Sequence, residues 1–384
     1  MNQAGHHIPF NKPYLTGYEQ EHIQAVLNSK KLSGGGEYTE RCQSFFENKF
    51  GYKKCLMTTS CTDALEMCGI LLGLKHGDEV IVPSYTFVTS ASAFALRGAK
   101  IVFVDSEENH PNLDVDNLET LITPNTKAIV IVHYGGSPCD MDRIMTLAKQ
   151  RNIVIIEDNA HGIGSYYKGK PLGSFGDFAT LSFHDTKGIT SGEGGMLVIN
   201  NEKYIEPAKI TWQKGTNRDA FESGEVKQYE CVGLGSSFQA SEITAALLWG
   251  QLIAFDFLIE KRKSTWLYYY DLIIRNGLRK YLPRLDYVEE SNGQIFFLLL
   301  SNENQREKFK KFLFDKGVSS SSHFSPLHSS AFYLNLSKSE CVNAELISNT
   351  LIRLPLFVEM TSSETEKVID VIVAFFDQNT DVII

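Results

Sequence analysis

Lys187 stands in "LSFHDTKGITSGEGGMLVIN" (residues 181–200), between two apolar runs and directly ahead of a glycine-rich turn. A primary amine at the end of a buried strand can condense with an aldehyde or relay a proton, provided its surroundings keep water away. Three other groups would give it a task. Asp158 closes the apolar run "NIVIIED" and so puts a carboxylate at the carboxyl edge of a sheet, where ligands bind in open α/β folds. Ser60, Cys61 and Thr62 lie where a polar turn passes into the helix-periodic "CTDALEMCGILLGL", and the free backbone N–H groups of such a helix start form an anion site. Tyr85 and Phe87 in "PSYTFVTSASAF" follow another strand, and either offers a flat plate to an aromatic ring. An amine, a strand-end carboxylate, a helix start for phosphate and an aromatic plate are the parts that pyridoxal 5'-phosphate (PLP) chemistry needs. The amine condenses with the cofactor aldehyde, the carboxylate keeps the pyridine nitrogen protonated so that the ring accepts electrons, and the helix end holds the phosphate.

Positioning these groups takes a sheet covered on both sides. Apolar runs rich in Val and Ile recur at 79–85, 100–105, 127–134, 152–158, 178–184 and 195–200. Their hydrophobicity is continuous rather than alternating, which predicts a mostly parallel sheet buried between helices. "MDRIMTLAKQRN" (141–152) has the apolar spacing of a crossover helix. The runs at 178–184 and 195–200 are too close for a helical crossover, so they pair antiparallel or lie apart at an edge, with Lys187 in the connecting loop. Glycines in "SGEGG" let the backbone turn sharply after Lys187. From about residue 240 the pattern changes to one long helix or two in series, then "QIFFLLL" and the helical "REKFKKFLFDKG". This predicts a large domain over 1–250, a smaller α+β domain over 251–384, and an N-terminal segment able to pack on the latter.

Composition narrows the function. A formal net charge of −9 disfavours a general attraction to nucleic acid, so an anionic ligand must be met by a local cluster of donors. Seven scattered cysteines without CxxC spacing suggest neither a disulfide framework nor a zinc site. No apolar run approaches the roughly 20 residues that span a bilayer, and "MNQAGHHIPFNKPY" lacks a signal-peptide core, so a cytoplasmic protein is expected, with no membrane or nucleic-acid partner.

The ordered motifs "IPFNKPYL", "KLSGGGEYTERC", "EDNAHGIGSYYKGKPLGSFGD", "SFHDTKGITSGEGG", "GTNR", "GSSFQASEITAALLWGQL", "HFSPLHSS" and "LIRLPLF" resemble the DegT/DnrJ/EryC1/StrS sugar-nucleotide aminotransferases over nearly the whole chain. The resemblance implies PLP fold type I, as in aspartate aminotransferase, and is strongest to members that make a dTDP-linked 4-amino-4,6-dideoxygalactose. It implies that Lys187 binds the cofactor aldehyde, Asp158 the ring nitrogen and His161 the ring hydroxyl. Ser182, Cys61 and Thr62 would hold the phosphate, and Phe87 would stack on the ring. His184, Asn217, Arg218, His323 and His328 would face the substrate. Gln239, where relatives often carry Asn or Arg, would reach the phosphate or substrate of a partner subunit, so a homodimer with shared sites follows. The reaction implied is transfer of an amine from glutamate to dTDP-4-keto-6-deoxyglucose, for O-antigen or another surface polysaccharide. Amination at C3 and a non-catalytic sensor of PLP or sugar nucleotide remain alternatives here.

Overall fold

In the computed structural model, which describes residues 7–286, 288–336 and 339–378, seven strands build one sheet. They are β1 (Lys54–Thr58), β2 (Glu79–Pro83), β3 (Lys100–Val104), β4 (Thr126–Val132), β5 (Val154–Asp158), β6 (Phe178–Ser182) and β7 (Gly195–Ile199). Their order across the sheet is β1-β7-β6-β5-β4-β2-β3. The pairs from β6 through β3 are parallel, whereas β7 runs antiparallel to both β6 and β1. The six apolar runs are thus six of the strands, and the close pair at 178–184 and 195–200 is the antiparallel hairpin. The fold is α/β with a mostly parallel central sheet, of fold type I.

Strand β1 was not marked by the sequence pattern. It is a five-residue edge strand whose sole sheet partner is β7, and "KCLMT" has none of the Val/Ile density of the inner strands.

Successive residues of the inner strands enter different cores. Val80, Val82, Ala128 and Val130 pack with Ala64, Leu65 and Cys68 of α3 (Cys61–Leu71), on one face. Ile81, Ile129, Ile131 and Ile155 pack with Ile144 and Leu147 of the crossover helix Met141–Arg151, on the other. This double burial is why the runs are continuous. Near β1 and β7 the second face is covered by α2 (Glu37–Phe50) and the helix Glu242–Ile253, through residues such as Phe46 and Leu248. Glu242 is buried, and its carboxylate accepts from the backbone N–H groups of Gly36, Tyr38 and Thr39, capping the start of α2.

The long helical stretch after residue 240 is two helices, Glu242–Ile253 and Phe255–Arg275, bent by 64°. No single helix among the described residues is long and apolar enough to cross a membrane. The second of the pair carries Phe255 and Leu258 into the core under β1 and β7, and Trp266, Tyr269 and Ile273 into a separate core. That core surrounds β8 (Phe297–Leu299) and β9 (Leu351–Arg353), an antiparallel pair flanked by helices Glu303–Asp315 and Ser362–Gln378. Ile8 belongs to the same core and bridges to Val318. Apolar packing nevertheless continues across residue 250, because Leu327, Ile347 and Leu351 share a cluster with Val82 and Tyr134. The outer limits of the two expected domains, 1–6 and 379–384, lie outside the described residues.

Candidate active site

The carboxyl ends of β1, β2, β4, β5 and β6 share one edge of the sheet, and the loop that follows β6 returns over it. Lys187 sits in that loop. Its N–H bonds to His184 O, Asp185 N–H to Gly192 O, and Gly188 N–H to the Gln294 carboxamide, so the turn is fixed at both ends. Gly192 adopts φ +79°, a left-handed conformation that favours glycine.

Asp158 ends β5. Its carboxylate accepts from Ser90 Oγ at 2.6 Å and from Ala160 N–H at 3.3 Å. One residue earlier Glu157 points to the opposite face and accepts from the N–H groups of Gly173, Phe175 and Gly176, each at 2.7 Å. This pins residues 173–176 of the segment that follows β5, while the His161 carbonyl is held by Asn292 Nδ2 at 2.8 Å. The His161 Nδ1 accepts from Gly135 N–H at 3.4 Å, and burial holds its pKa well below the usual imidazole value. The ring is therefore neutral and carries its proton on Nε2.

Helix α3 begins immediately after β1. Ser60 caps it by accepting from Asp63 N–H at 3.1 Å, which leaves the Cys61 and Thr62 N–H groups directed out of the first turn. The register opposes Gly195 to Thr58 on one side and to Ser182 on the other. A Cβ on Gly195 would fall 2.2 Å from Ser60 C and 2.3 Å from Cys61 N. Only glycine there lets the helix start lie against the sheet beside Ser182.

These groups line one cavity of about 470 Å³. Lys187, Asp158, His161, Ser182, Cys61, Thr62, Phe87, His184 and His323 all border it. Phe87 is 54% exposed and reaches the cavity, while Tyr85 is buried behind it against Tyr134, its hydroxyl donating to His323 O. Burial lowers the Lys187 ammonium pKa to about 8, the charges of Arg353 and Arg262 push the same way, and Asp158 opposes them. Burial raises the Asp158 carboxyl, and the Ser90 hydrogen bond and Lys187 pull it back. The arrangement fits PLP: a nucleophilic amine, a strand-end carboxylate, and a cradle of N–H groups and a hydroxyl whose closeness depends on Gly195.

Four expected residues lie elsewhere. His328 is buried outside the cavity, 2.6 Å from Ser84 Oγ and 3.2 Å from Glu345, so it braces the loop rather than facing a substrate. Asn217 closes a surface loop through Gln228 O and Glu230 N–H, and Arg218 pairs with Glu222. Gln239 bridges to Thr58 at the sheet edge, away from the cavity of its own chain. Sequence reasoning in turn missed Arg353, Arg262, Ser90, Gln294, Phe10 and Asn11, of which all but Ser90 line the cavity and Ser90 holds Asp158. Phe10, Asn11 and Arg353 do lie in the motifs "IPFNKPYL" and "LIRLPLF", which were the available signal.

Residues 13–373 match the DegT/DnrJ/EryC1/StrS aminotransferase family. The chain is 33% identical over 381 residues to the GDP-perosamine synthase of Escherichia coli O157:H7, covering 96% of this chain and 99% of the relative. It is 32% identical over 362 residues to the GDP-perosamine synthase of Caulobacter vibrioides, with 93% and 95% covered. A Streptococcus pneumoniae protein assigned as a sugar aminotransferase, solved in its PLP form, superposes with a TM-score of 0.89 at 28% identity, over 97% of this chain and 99% of that one.

Proposed function

The chain belongs to the DegT/DnrJ/EryC1/StrS aminotransferase family and is a PLP-dependent sugar aminotransferase, and from that premise we propose that it aminates C4 of a GDP-linked 4-keto-6-deoxyhexose, with glutamate as donor. Lys187 carries the reading: an amine set against Asp158 and the α3 start, in a cavity that also holds His184 and Phe87 at its mouth. GDP replaces the dTDP implied by the sequence motifs because both named relatives are GDP-perosamine synthases.

When bound, the cofactor supplies an electron sink for the bond broken at the donor carbon. Lys187 Nζ would take the proton from the donor Cα, and its lowered pKa suits that exchange near neutral pH. In the second half-reaction the same atom delivers a proton while the amine passes to the sugar. Asp158 holds the proton on the ring nitrogen, and a protonated ring beside it favours the ionised carboxylate over the neutral form that burial favours in its absence. His161 Nε2–H would meet the ring hydroxyl, Phe87 would cover the ring, and Ser182 with the Cys61 and Thr62 N–H groups would take the phosphate. Asn217, Arg218 and Gln239 serve the site of a second copy. The exposed Phe221, Tyr229, Val232 and Leu234, in the segment that carries Asn217 and Arg218, give that copy an apolar surface to cover.

The test is spectroscopic and needs no coupled assay. Glutamate alone should bleach the visible band of the loaded protein with release of 2-oxoglutarate, and GDP-4-keto-6-deoxymannose should restore it faster than dTDP-4-keto-6-deoxyglucose or a 3-keto sugar nucleotide. Recovery only from the dTDP sugar would return the substrate to the one the motifs imply, and recovery only from a 3-keto sugar would overturn C4. An unchanged spectrum with every amino donor, beside tight sugar-nucleotide binding, would identify a sensor.

A further inference from the structure

The segment 291–295, which leads into β8, is drawn onto the helix Phe255–Arg275 by two side chains one turn apart. Arg262 Nη2 donates to Gln294 O at 2.9 Å, and Trp266 Nε1 donates to Ile295 O at 2.9 Å. The approach is close: a Cβ on Gly293, where φ is +69°, would fall 2.9 Å from Arg262 O. Asn292 and Gln294 are both buried, and their carboxamides turn toward the loops that carry His161 and Lys187. Asn292 Nδ2 donates to His161 O and to Ile163 O, each at 2.8 Å, while its Oδ1 accepts from Gln294 N–H at 2.9 Å. Gln294 then closes on the lysine turn. Its Oε1 accepts from Gly188 N–H at 3.1 Å and its Nε2 donates to Thr186 O at 3.3 Å.

These last two bonds fall on the peptide groups on either side of Lys187, so one carboxamide grips both planes that orient the Lys187 Cα. Only a side chain with a donor and an acceptor side by side can do this; a carboxylate would accept from Gly188 but set an oxygen against Thr186 O. The residue after the lysine must also be small. A Cβ on Gly188 would stand 2.8 Å from Arg262 Cδ and 3.3 Å from Gln294 Oε1. The other bonds of the turn lie further from the amine: Asn11 Nδ2 donates to Asp185 O at 3.3 Å, and Asp185 N–H to Gly192 O at 3.0 Å.

The two duties of Lys187 differ in what holds its amine. Joined to the cofactor, the amine is fixed by a covalent bond at its far end, and slack in the backbone matters little. Released, it hangs on a flexible four-carbon stem, and its distance from the donor Cα depends on where the Lys187 backbone stands. A proton passes only between atoms held within hydrogen-bond reach, so a displacement of about 1 Å can cost roughly 100-fold in rate. A buried clamp on both flanking peptides therefore acts when the amine is free.

We propose that Gln294, anchored by Arg262 and Asn292, is a positioning residue for Lys187 that acts on proton transfer rather than on the binding of cofactor or substrate. This rests on the aminotransferase reading of the site. Gln294→Leu removes both bonds to the turn. Gln294→His, assayed at pH 8 where an imidazole is neutral, can still accept at one nitrogen and donate from the other.

Two measurements test it. On stripped protein, hydrogen exchange at the Gly188 amide should quicken roughly tenfold or more in Gln294→Leu. On holoenzyme in single turnover, bleaching by saturating glutamate, or by whichever amino acid wild type prefers, should slow roughly 10- to 100-fold and show a larger isotope effect when the donor is deuterated at Cα. The PLP Kd, the half-saturating donor and the half-saturating nucleotide sugar should stay within about threefold of wild type, and Gln294→His should recover part of the rate and of the exchange protection. Should Gln294→Leu not fold, Gln294→Glu, which keeps the bond from Gly188 N–H and loses the one to Thr186 O, takes its place. Unchanged exchange at Gly188, or bleaching within about threefold of wild type, would overturn the assignment. So would a slower rate matched by an equal loss of PLP affinity, which marks a merely structural part, or a loss confined to half-saturating donor or sugar, which would make Gln294 a substrate contact. Wild type that reacts with no amino donor would overturn the aminotransferase reading itself, before any variant is made.

Discussion

Replacing Gly195 with alanine puts the closeness of sheet and helix on trial. The added carbon would stand 2.2 Å from Ser60 C, 2.3 Å from Cys61 N and 2.4 Å from Ser60 O, all backbone atoms that cannot swing aside. Carbon contacts settle at about 3.5 Å, so β7 and the start of α3 must part by about 1 Å. Overpacking of this kind costs about 1–3 kcal/mol, and with main chain on both sides the upper end applies. The larger effect is on the cofactor. A hydrogen bond from Cys61 or Thr62 N–H at a normal length of about 2.9 Å does not survive a 1 Å retreat of its donor. A charge-assisted bond is worth about 1.5–3 kcal/mol, so loss of one weakens PLP binding roughly 10- to 100-fold. The assay is PLP titration of stripped protein, with urea unfolding alongside. Gly192→Ala is the control: φ there is +79° with nothing within 4 Å, so it strains the turn by about 1–2 kcal/mol without moving α3. Equal PLP affinities for Gly195→Ala and Gly192→Ala would refute the reasoning.

Two further outcomes follow from the same edge of the sheet. Only the neutral amine of Lys187 can attack an aldehyde, and burial sets its pKa at about 8. The rate at which stripped protein takes up PLP should therefore climb about tenfold per pH unit below 8 and flatten above it; a rate still climbing steeply between pH 8.5 and 9.5 would describe an ordinary lysine, whose pKa is about 10.4. Asp158→Asn keeps the shape and the Ser90 contact but cannot hold a ring proton, so it should bind PLP within a fewfold of wild type and slow glutamate-driven bleaching by roughly 100-fold or more; near-normal bleaching would remove Asp158 from the chemistry.

What could be read in the sequence depended on whether the cause was local. Strands β2 to β7 announced themselves because burial on both faces leaves a run of Val and Ile, and Lys187, Asp158 and Ser60 to Thr62 because each sits at the end of such a run or the start of a helix. β1 was silent because an edge strand of five residues needs little β-branched content. The 64° bend after Ile253 fell in a continuous helical pattern, where no Pro stands at the break and the one nearby glycine, Gly250, lies a turn before it. Arg353 is a single cation in an apolar segment and Arg262 the middle one of three consecutive cations, and their approach to Lys187 is made by two elements folding over the sheet edge, not by spacing along the chain. His328 shows the opposite error: a motif places it beside His323, yet five residues on a turning loop carry it to the far side, against Ser84.

Ile8 hydrogen-bonds to Gly317 and Ser319, and the side chain of His7 bonds to Ser319, 312 positions away. Phe10 O accepts from Leu356 N–H and the Phe10 ring covers Arg353. During synthesis, at about 5–20 residues per second, the segment around Phe10 waits roughly 15–60 s for these partners to emerge. Lys187, Asp158 and the α3 start lie within the first two hundred residues of chain, and Gln294, which holds the Lys187 turn through Gly188 N–H, still precedes Arg353. The two walls of the cavity are thus separated in time as well as in sequence. A nascent chain can present the cofactor side of its pocket to the cell well before the wall that carries Arg353 exists, so the order of maturation set by the topology is cofactor wall first and substrate wall last.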